Sequence, residues 1–290
     1  ATYTKVALLL SLALLSSIAK GQGHAGVIPS KATVFNILNF GGKPDGKTDN
    51  TQAFRDAWEA VCRFNNGKAR LLIPKGTFLV GQVIFHGPCN NKDPIIVQLK
   101  GTVKATTDTI GWKEAEWFAF EDIRGLVLNG GGVFDGQGEA VWGNNECSSS
   151  AKCASRSVNL KFRNITSGKI GRITSLNPKG FHMCINNCRN YKASHMQLIA
   201  PGDSPNTDGI HISSSTNVRI SKSIISTGDD CISIIQGDTN IVVSEVTCGP
   251  GHGISVGSLG KYKNEKDVSG IFVRNCTLRN TDNGVRVKTW

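Results

Sequence analysis

From about residue 69 onward the chain alternates apolar and polar positions in short runs, each bounded by Gly, Asn or Asp. The stretches "ARLLIPKGTFLVGQVIF", "PIIVQLKGTVKA" and "FEDIRGLVLNGGGVFDGQG" have this form. A period of two predicts half-buried strands, and the glycine clusters predict tight bends between them. One earlier segment has the helical period instead. In "DNTQAFRDAWEAVC", Phe54, Trp58 and Val61 share one face, and Asp49 or Asn50 stands where a helix cap belongs. The pattern therefore predicts one short helix followed by strands.

From about residue 180 the strands repeat. "KGFHM" (179–183), "DGIHI" (208–212), "DCISI" (230–234), "HGISV" (252–256) and "NGVRV" (283–287) align at steps of 29, 22, 22 and 31. A second series runs alongside, beginning at Asn190, Asn217, Asn240 and Gly270, and the polar insertion "LGKYKNEKD" accounts for the longest step. A rung of this length cannot bury its apolar face alone, so stacked rungs are required. Stacking joins Ile210/Ile212, Ile232/Ile234, Ile254/Val256 and Val285/Val287 into one core. Leucine-rich repeats would need recurring Leu and a helix per rung, and a propeller would need longer repeats. The expected fold is all-β: a single-stranded, right-handed parallel β-helix with a short N-terminal capping helix, forming one domain over residues 24–290.

Stacking turns register into proximity, because neighbouring parallel strands lie about 4.8 Å apart. Asp208, Asp230 and His252 then form a ladder with Asp229 beside it. Three carboxylates this close cannot all ionise freely, and that difference is what a general acid beside a general base requires. Strand parity adds a condition. On an unbroken pleat, Asp208, Asp230 and His252 would point inward with Ile210, Ile232 and Ile254, where unpaired carboxylates are costly. A bend must therefore reset the pleat before each strand, and Gly209, Gly228, Gly251 and Gly253 make one available. Arg286 and Lys288 need no reset, since both have outward parity on one strand. They suit a substrate carboxylate or a salt bridge to the Asp cluster. His182 and His211 fall in the outward register of Ser233 and Ser255 and receive no role.

The formal net charge of +11 points to a polyanionic partner: nucleic acid, an anionic membrane or an acidic polymer. The first 23 residues narrow the choice. Lys5 precedes an apolar run from Val6 to about Ala19, too short for a comfortable membrane span, and reads as a secretory signal cleaved between Ala19 and His24. Without an initiator Met, the sequence reads as incomplete at this end. Secretion makes the nine cysteines disulfide material rather than metal ligands, and no CxxC pair exists. An odd count leaves one thiol free or its partner outside this chain. Sequons at Asn164 and Asn275 suit a glycosylated exterior. Nucleic acid drops out as a partner, as does a membrane once the signal is cleaved, and a monomer is expected.

Four stretches now resemble a known family. "NTDG" (206–209), "GDDC" (228–231), "GPGHG" (249–253) and "RVK" (286–288), in this order, are similar to the four signatures of the polygalacturonases, glycoside hydrolase family 28. "FGGKPDGKTDNTQAF", "IPKGTFLVG", "GVFDGQG" and "SLNPKGFHM" agree, and "SPNTDGIHI" and "CGPGHGISVGSLGKY" look most like the plant pollen exopolygalacturonases. The resemblance implies inverting hydrolysis of α-1,4-galacturonosyl bonds in de-esterified pectin (polygalacturonate), without metal or cofactor, in the cell wall. It implies Asp229 as general acid, Asp208 and Asp230 on the attacking water, and His252 in support. Asn206, Arg286 and Lys288 would bind substrate, and Cys231 and Cys248 would be bridged. Family members continue for several rungs beyond "VRVKTW", so the domain is expected to be truncated at its C-terminal rungs. Exo action is favoured over endo. A β-helix pectate lyase and a non-catalytic pectin-binding wall protein are the rival readings.

Overall fold

The structure is a computed structural model, and it describes residues 32–109, 111–143 and 157–290. The expected signal segment, Cys147 and Cys153 lie outside the described residues. Among the described residues the strands form three parallel sheets of nine, nine and eight strands. Sheet 1 runs from Thr33–Asn36 to Ser269–Arg274, sheet 2 from Asp45–Asp49 to Thr277–Leu278, and sheet 3 from Val83–His86 to Val285–Thr289. Each rung contributes a strand to successive sheets and then climbs to the next level, giving the right-handed parallel β-helix.

The core is the stacked inward residues. In sheet 3, Ile210, Ile232 and Ile254 stand in register and are fully buried. Val285 continues the column but is 56% exposed and Val287 67%, so this last expected core pair is not enclosed, because among the described residues no further strand stacks on theirs. In sheet 1 the matching column is Tyr191, Val218, Ile241 and Ile271. The residue just before each of these adopts a left-handed conformation, with φ of 55°, 58°, 57° and 69° at Asn190, Asn217, Asn240 and Gly270. Asn tolerates this conformation, and its amide repays the position. Asn217 donates to Asn190 Oδ1 at 3.1 Å, and Asn240 donates to Asn217 Oδ1 at 3.2 Å.

The helix Thr51–Arg63 closes the first rungs. Phe54, Trp58 and Val61 are buried, and the Trp58 ring stacks on Phe85 at 4.5 Å. Asn50 occupies the cap position, but its side chain turns away to accept from Lys43 N and to donate to Thr48 O. Asp49 instead accepts from Thr51 N at 2.8 Å. A disulfide between Cys62 and Cys89 ties the end of this helix to the wall.

One register expectation is corrected. Met183 pairs with Ile210, a step of 27 rather than 29, so Cys184 and not His182 stands beside His211. A shift of two residues keeps every side chain on its face, so apolar alternation cannot distinguish the two registers. The consequence falls on His182. It occupies the pleat-reset position below Gly209, donating its backbone N–H to Asp208 O, and it is fully buried against Ser175 Oγ at 3.0 Å. Burial pushes its imidazole down to about 3. His182 is an interior residue, not an outer-face one.

Candidate active site

The pleat resets where the carboxylates stand. A Cβ added at Gly209 would lie 2.4 Å from Cys231 O and 2.5 Å from Ile225 Cγ2, so position 209 faces the core. Ile210 after it is also buried in the core, and two successive inward positions leave Asp208 on the outer face. Cys231 occupies the same inward position one rung up, buried and bridged to Cys248. Asp208, Asp230 and His252 therefore precede the strands Ile210–Ser213, Ile232–Ile234 and Ile254–Leu259 as an outward column. The ladder expected from the repeat is present.

The three carboxylates have different surroundings. Asp230 is 2% exposed, and both of its oxygens are engaged. Oδ1 accepts from Ser255 Oγ at 2.6 Å and from Arg286 Nη2 at 2.7 Å, while Oδ2 accepts from Lys288 Nζ at 2.7 Å. Burial alone would raise its pKa, yet Lys288, Ser255 and Arg286 together hold it below the ordinary value. Asp208 is buried with a single side-chain donor, Ser233 Oγ at 2.9 Å on Oδ2. Burial, then the Asp229 charge, pushes Asp208 up to about 7.

Asp229 is the most open of the three, its side chain 26% exposed. Its Oδ1 accepts from Asp230 N at 2.7 Å and lies 3.0 Å from His252 Nδ1. His252 Nε2 faces Asp282 Oδ2 at 3.4 Å, which orients the ring from its other edge. Buried hydroxyls hold the two acidic loops together: Ser204 Oγ meets Thr207 Oγ1 at 2.6 Å, and Thr207 Oγ1 meets Thr227 Oγ1 at 2.9 Å. Asn206 is exposed in the loop leading to Asp208, at φ 56°.

Arg286 and Lys288 are brought to the cluster, each about 30% exposed, and both pair with Asp230. Lys288 has further ammonium protons, and Arg286 has a further guanidinium nitrogen, available to a ligand carboxylate. One ligand-capable atom from each of Asp229, Asp230 and His252 falls within 4.8 Å of the others. This donor set suits a metal poorly, because two cations and a hydroxyl already occupy the oxygens of Asp230.

Three polar residues with no assigned role belong to this site. Ser233 and Ser255 donate to Asp208 and Asp230, and His211 Nδ1 lies 2.8 Å from Ser233 Oγ. Their register with Arg286 was the available signal. His211 also stacks on Phe181 at 5.0 Å, and burial pushes it down to about 4, so its imidazole is neutral. The sequon residues stand elsewhere, on exposed stacked turns. Asn164 donates to Asp122 Oδ1 at 2.7 Å, and Asn275 sits in the turn between sheets 1 and 2.

Known proteins resemble this chain in sequence and in fold. The chain is 48% identical to an exopolygalacturonase of Arabidopsis thaliana, over 98% of this chain and 67% of that protein. It is 45% identical to an exopolygalacturonase of Zea mays, over 94% of this chain and 64% of that protein. Among solved structures, an exopolygalacturonase from Thermotoga maritima matches the fold with a TM-score of 0.74 at 20% identity, covering 89% of this chain and 69% of that one. The endo-xylogalacturonan hydrolase of Aspergillus tubingensis matches at a TM-score of 0.75 and 26% identity, over 89% of this chain and 68% of that one. The sequence profile of glycosyl hydrolases family 28 runs over residues 63–290, from the end of the capping helix through the last strand, and the chain belongs to that family.

Proposed function

We propose that this chain carries the catalytic centre of a secreted polygalacturonase, which hydrolyses α-1,4-galacturonosyl bonds of de-esterified pectin with inversion and releases galacturonate from a chain end. The observation that supports this reading best is the division of labour among three adjacent carboxylates. Asp230 is held ionised by Lys288 and Arg286, Asp208 retains a proton when its neighbours are charged, and Asp229 is open beside His252. Exo action rests on the Arabidopsis and maize relatives, which are exopolygalacturonases.

Asp208 and Asp229 act as a coupled pair. The Asp229 charge is one reason why Asp208 holds a proton, so moving that proton to Asp229 releases Asp208 to ionise. The resulting state has the acid on the exposed carboxyl and two carboxylates, Asp208 and Asp230, facing the attacking water. An inverting hydrolase needs room for that water, with acid and base carboxyls ~6.5–9.5 Å apart. Asp229 protonates the leaving oxygen, His252 orients it, and Asp208 with Asp230 takes the proton from water. Lys288, Arg286 and Asn206 bind the uronate carboxylate, so methyl esterification at that sugar removes their partner.

Product sizing on a pure oligogalacturonate tests the reading. Monomer alone at early times is the expected result, and a ladder of sizes would replace it with endo action. An unsaturated uronide that disappears with a chelator would replace it with a lyase. Retention of polygalacturonate without any turnover would leave a wall-binding protein.

A further inference from the structure

The outer face of sheet 1 carries a basic groove unconnected with the carboxylate cluster. Lys169, Lys192 and Arg219 stand in register on three successive strands, exposed and about 4.8 Å apart. Two residues further along each strand, Gly171, Ser194 and Ser221 form a parallel column of small side chains. The next residues are Arg172, His195 and Lys222, all exposed in left-handed turns with φ of 53°, 53° and 51°. A ridge of cations, a floor of hydroxyls and a second basic ridge thus run along the helix axis. A depression of about 290 Å³ lies over its first part, lined by Lys169, Gly171, Arg172, Lys192, Ser194 and His195.

Among the described residues no carboxylate forms an ion pair with these cations. Ion pairs among the described residues involve Arg63, His86, Lys161, Arg163, His252, Arg286 and Lys288, and none involves the groove. The basic run ends where Val242 and Glu245 take the corresponding positions one rung on. Five permanent cations this close repel one another by amounts that a polyanion would relieve.

We propose that this groove is a second, non-catalytic binding site for a linear polyuronate, which tethers the enzyme to its polymer on a face other than that of the carboxylate cluster. The choice of polymer rests on the function proposed above. A chain with one carboxylate per sugar matches two rows of spaced cations, and the serine hydroxyls offer partners to sugar hydroxyls. On the outer face of these three strands no Phe, Tyr or Trp is exposed for stacking bases, since Tyr191 points inward and is fully buried, and no large apolar side chain projects from them as a wedge for a bilayer.

The test compares wild type with the triple variant Lys169→Gln, Lys192→Gln, Arg219→Gln. Retention on immobilised polygalacturonate is measured across salt in an Asp229→Asn background, and trigalacturonate hydrolysis in the active background. Expected are retention about tenfold weaker, with a shallower salt dependence, and unchanged hydrolysis of the short substrate. Unchanged retention would overturn the proposal, as would a parallel loss of hydrolysis in a variant with unaltered unfolding temperature. Equal wild-type retention on fully methyl-esterified pectin or on phosphatidylserine vesicles would also overturn it. Failure of the wild type to hydrolyse trigalacturonate would refute the function instead, and the retention measurement would still report on the groove.

Discussion

Lys288 Nζ lies 2.7 Å from Asp230 Oδ2, although 58 residues separate the two in sequence. With Arg286 on the other oxygen, this contact keeps a nearly buried carboxylate ionised. Lys288→Met should therefore raise the Asp230 pKa and move the acid limb of the pH–rate profile to higher pH. Removing one partner of an enclosed charge costs about 1–3 kcal/mol, which chemical denaturation would read alongside the profile. A profile in the wild-type position would separate Lys288 from the ionisation of Asp230.

Asp229→Asn preserves shape and removes the transferable proton. Hydrolysis of oligogalacturonate should fall by roughly 10²–10⁴-fold, with substrate affinity retained. Steady-state rates and equilibrium binding on the same preparation check both halves. Wild-type turnover in this variant would exclude Asp229 as the acid.

The contribution of Asp208 to stability should grow as the medium becomes acidic. The folded pKa of Asp208 is raised from 3.8 to about 7, so the folded state binds the extra proton between these values. The resulting stabilisation is complete below about pH 3.8 and is lost as pH rises through about 7. Asp238, also raised to about 7, adds in the same direction. The buried imidazoles of His182 and His211, pushed down to about 3 and about 4, act in the opposite direction, so the Asp208 contribution is read as the difference in thermal unfolding between wild type and Asp208→Asn from pH 4 to 8.

Gly209→Ala puts a methyl group against Cys231 O and Ile225 Cγ2. The overpacking should cost about 1–3 kcal/mol. Because the same residue resets the pleat ahead of Asp208, activity should fall further than stability predicts. Melting temperature and kcat measured together would show whether the two losses separate.

Cys231 and Cys248 close a loop with a sequence separation of 17 at the rung carrying Asp229 and Asp230. Replacing both with Ala should cost about 2–4 kcal/mol. Reduction of the wild type should lower its melting temperature further than this double variant does, because it also opens Cys62–Cys89. A variant as stable as the parent would show that stacking alone holds this rung.

Much of this was legible in the chain because a repeat converts spacing into proximity. Steps of 22 residues brought Asp208, Asp230 and His252 together, and the fourth signature added Arg286 and Lys288. Ser233 and Ser255 had the right register but no visible task, since a serine is legible only when its partner's direction is known. The step from Met183 to Ile210 is not legible in the pattern, because alternation is unchanged by a shift of two.

The sequence by itself determined the fold class, the rung lengths and the membership of the acidic cluster. Those follow from periodicity, which is a one-dimensional property. Tertiary structure alone decided the facing and the charge states. Asp208 and Gly209 are neighbours in the chain, yet one faces the outer column of Ser233 and the other the core. Two carboxylates one rung apart differ in ionisation because Lys288 and Arg286 reach only Asp230. Desolvation and Coulomb attraction depend on what surrounds a group in space, and that environment comes from strands distant in sequence.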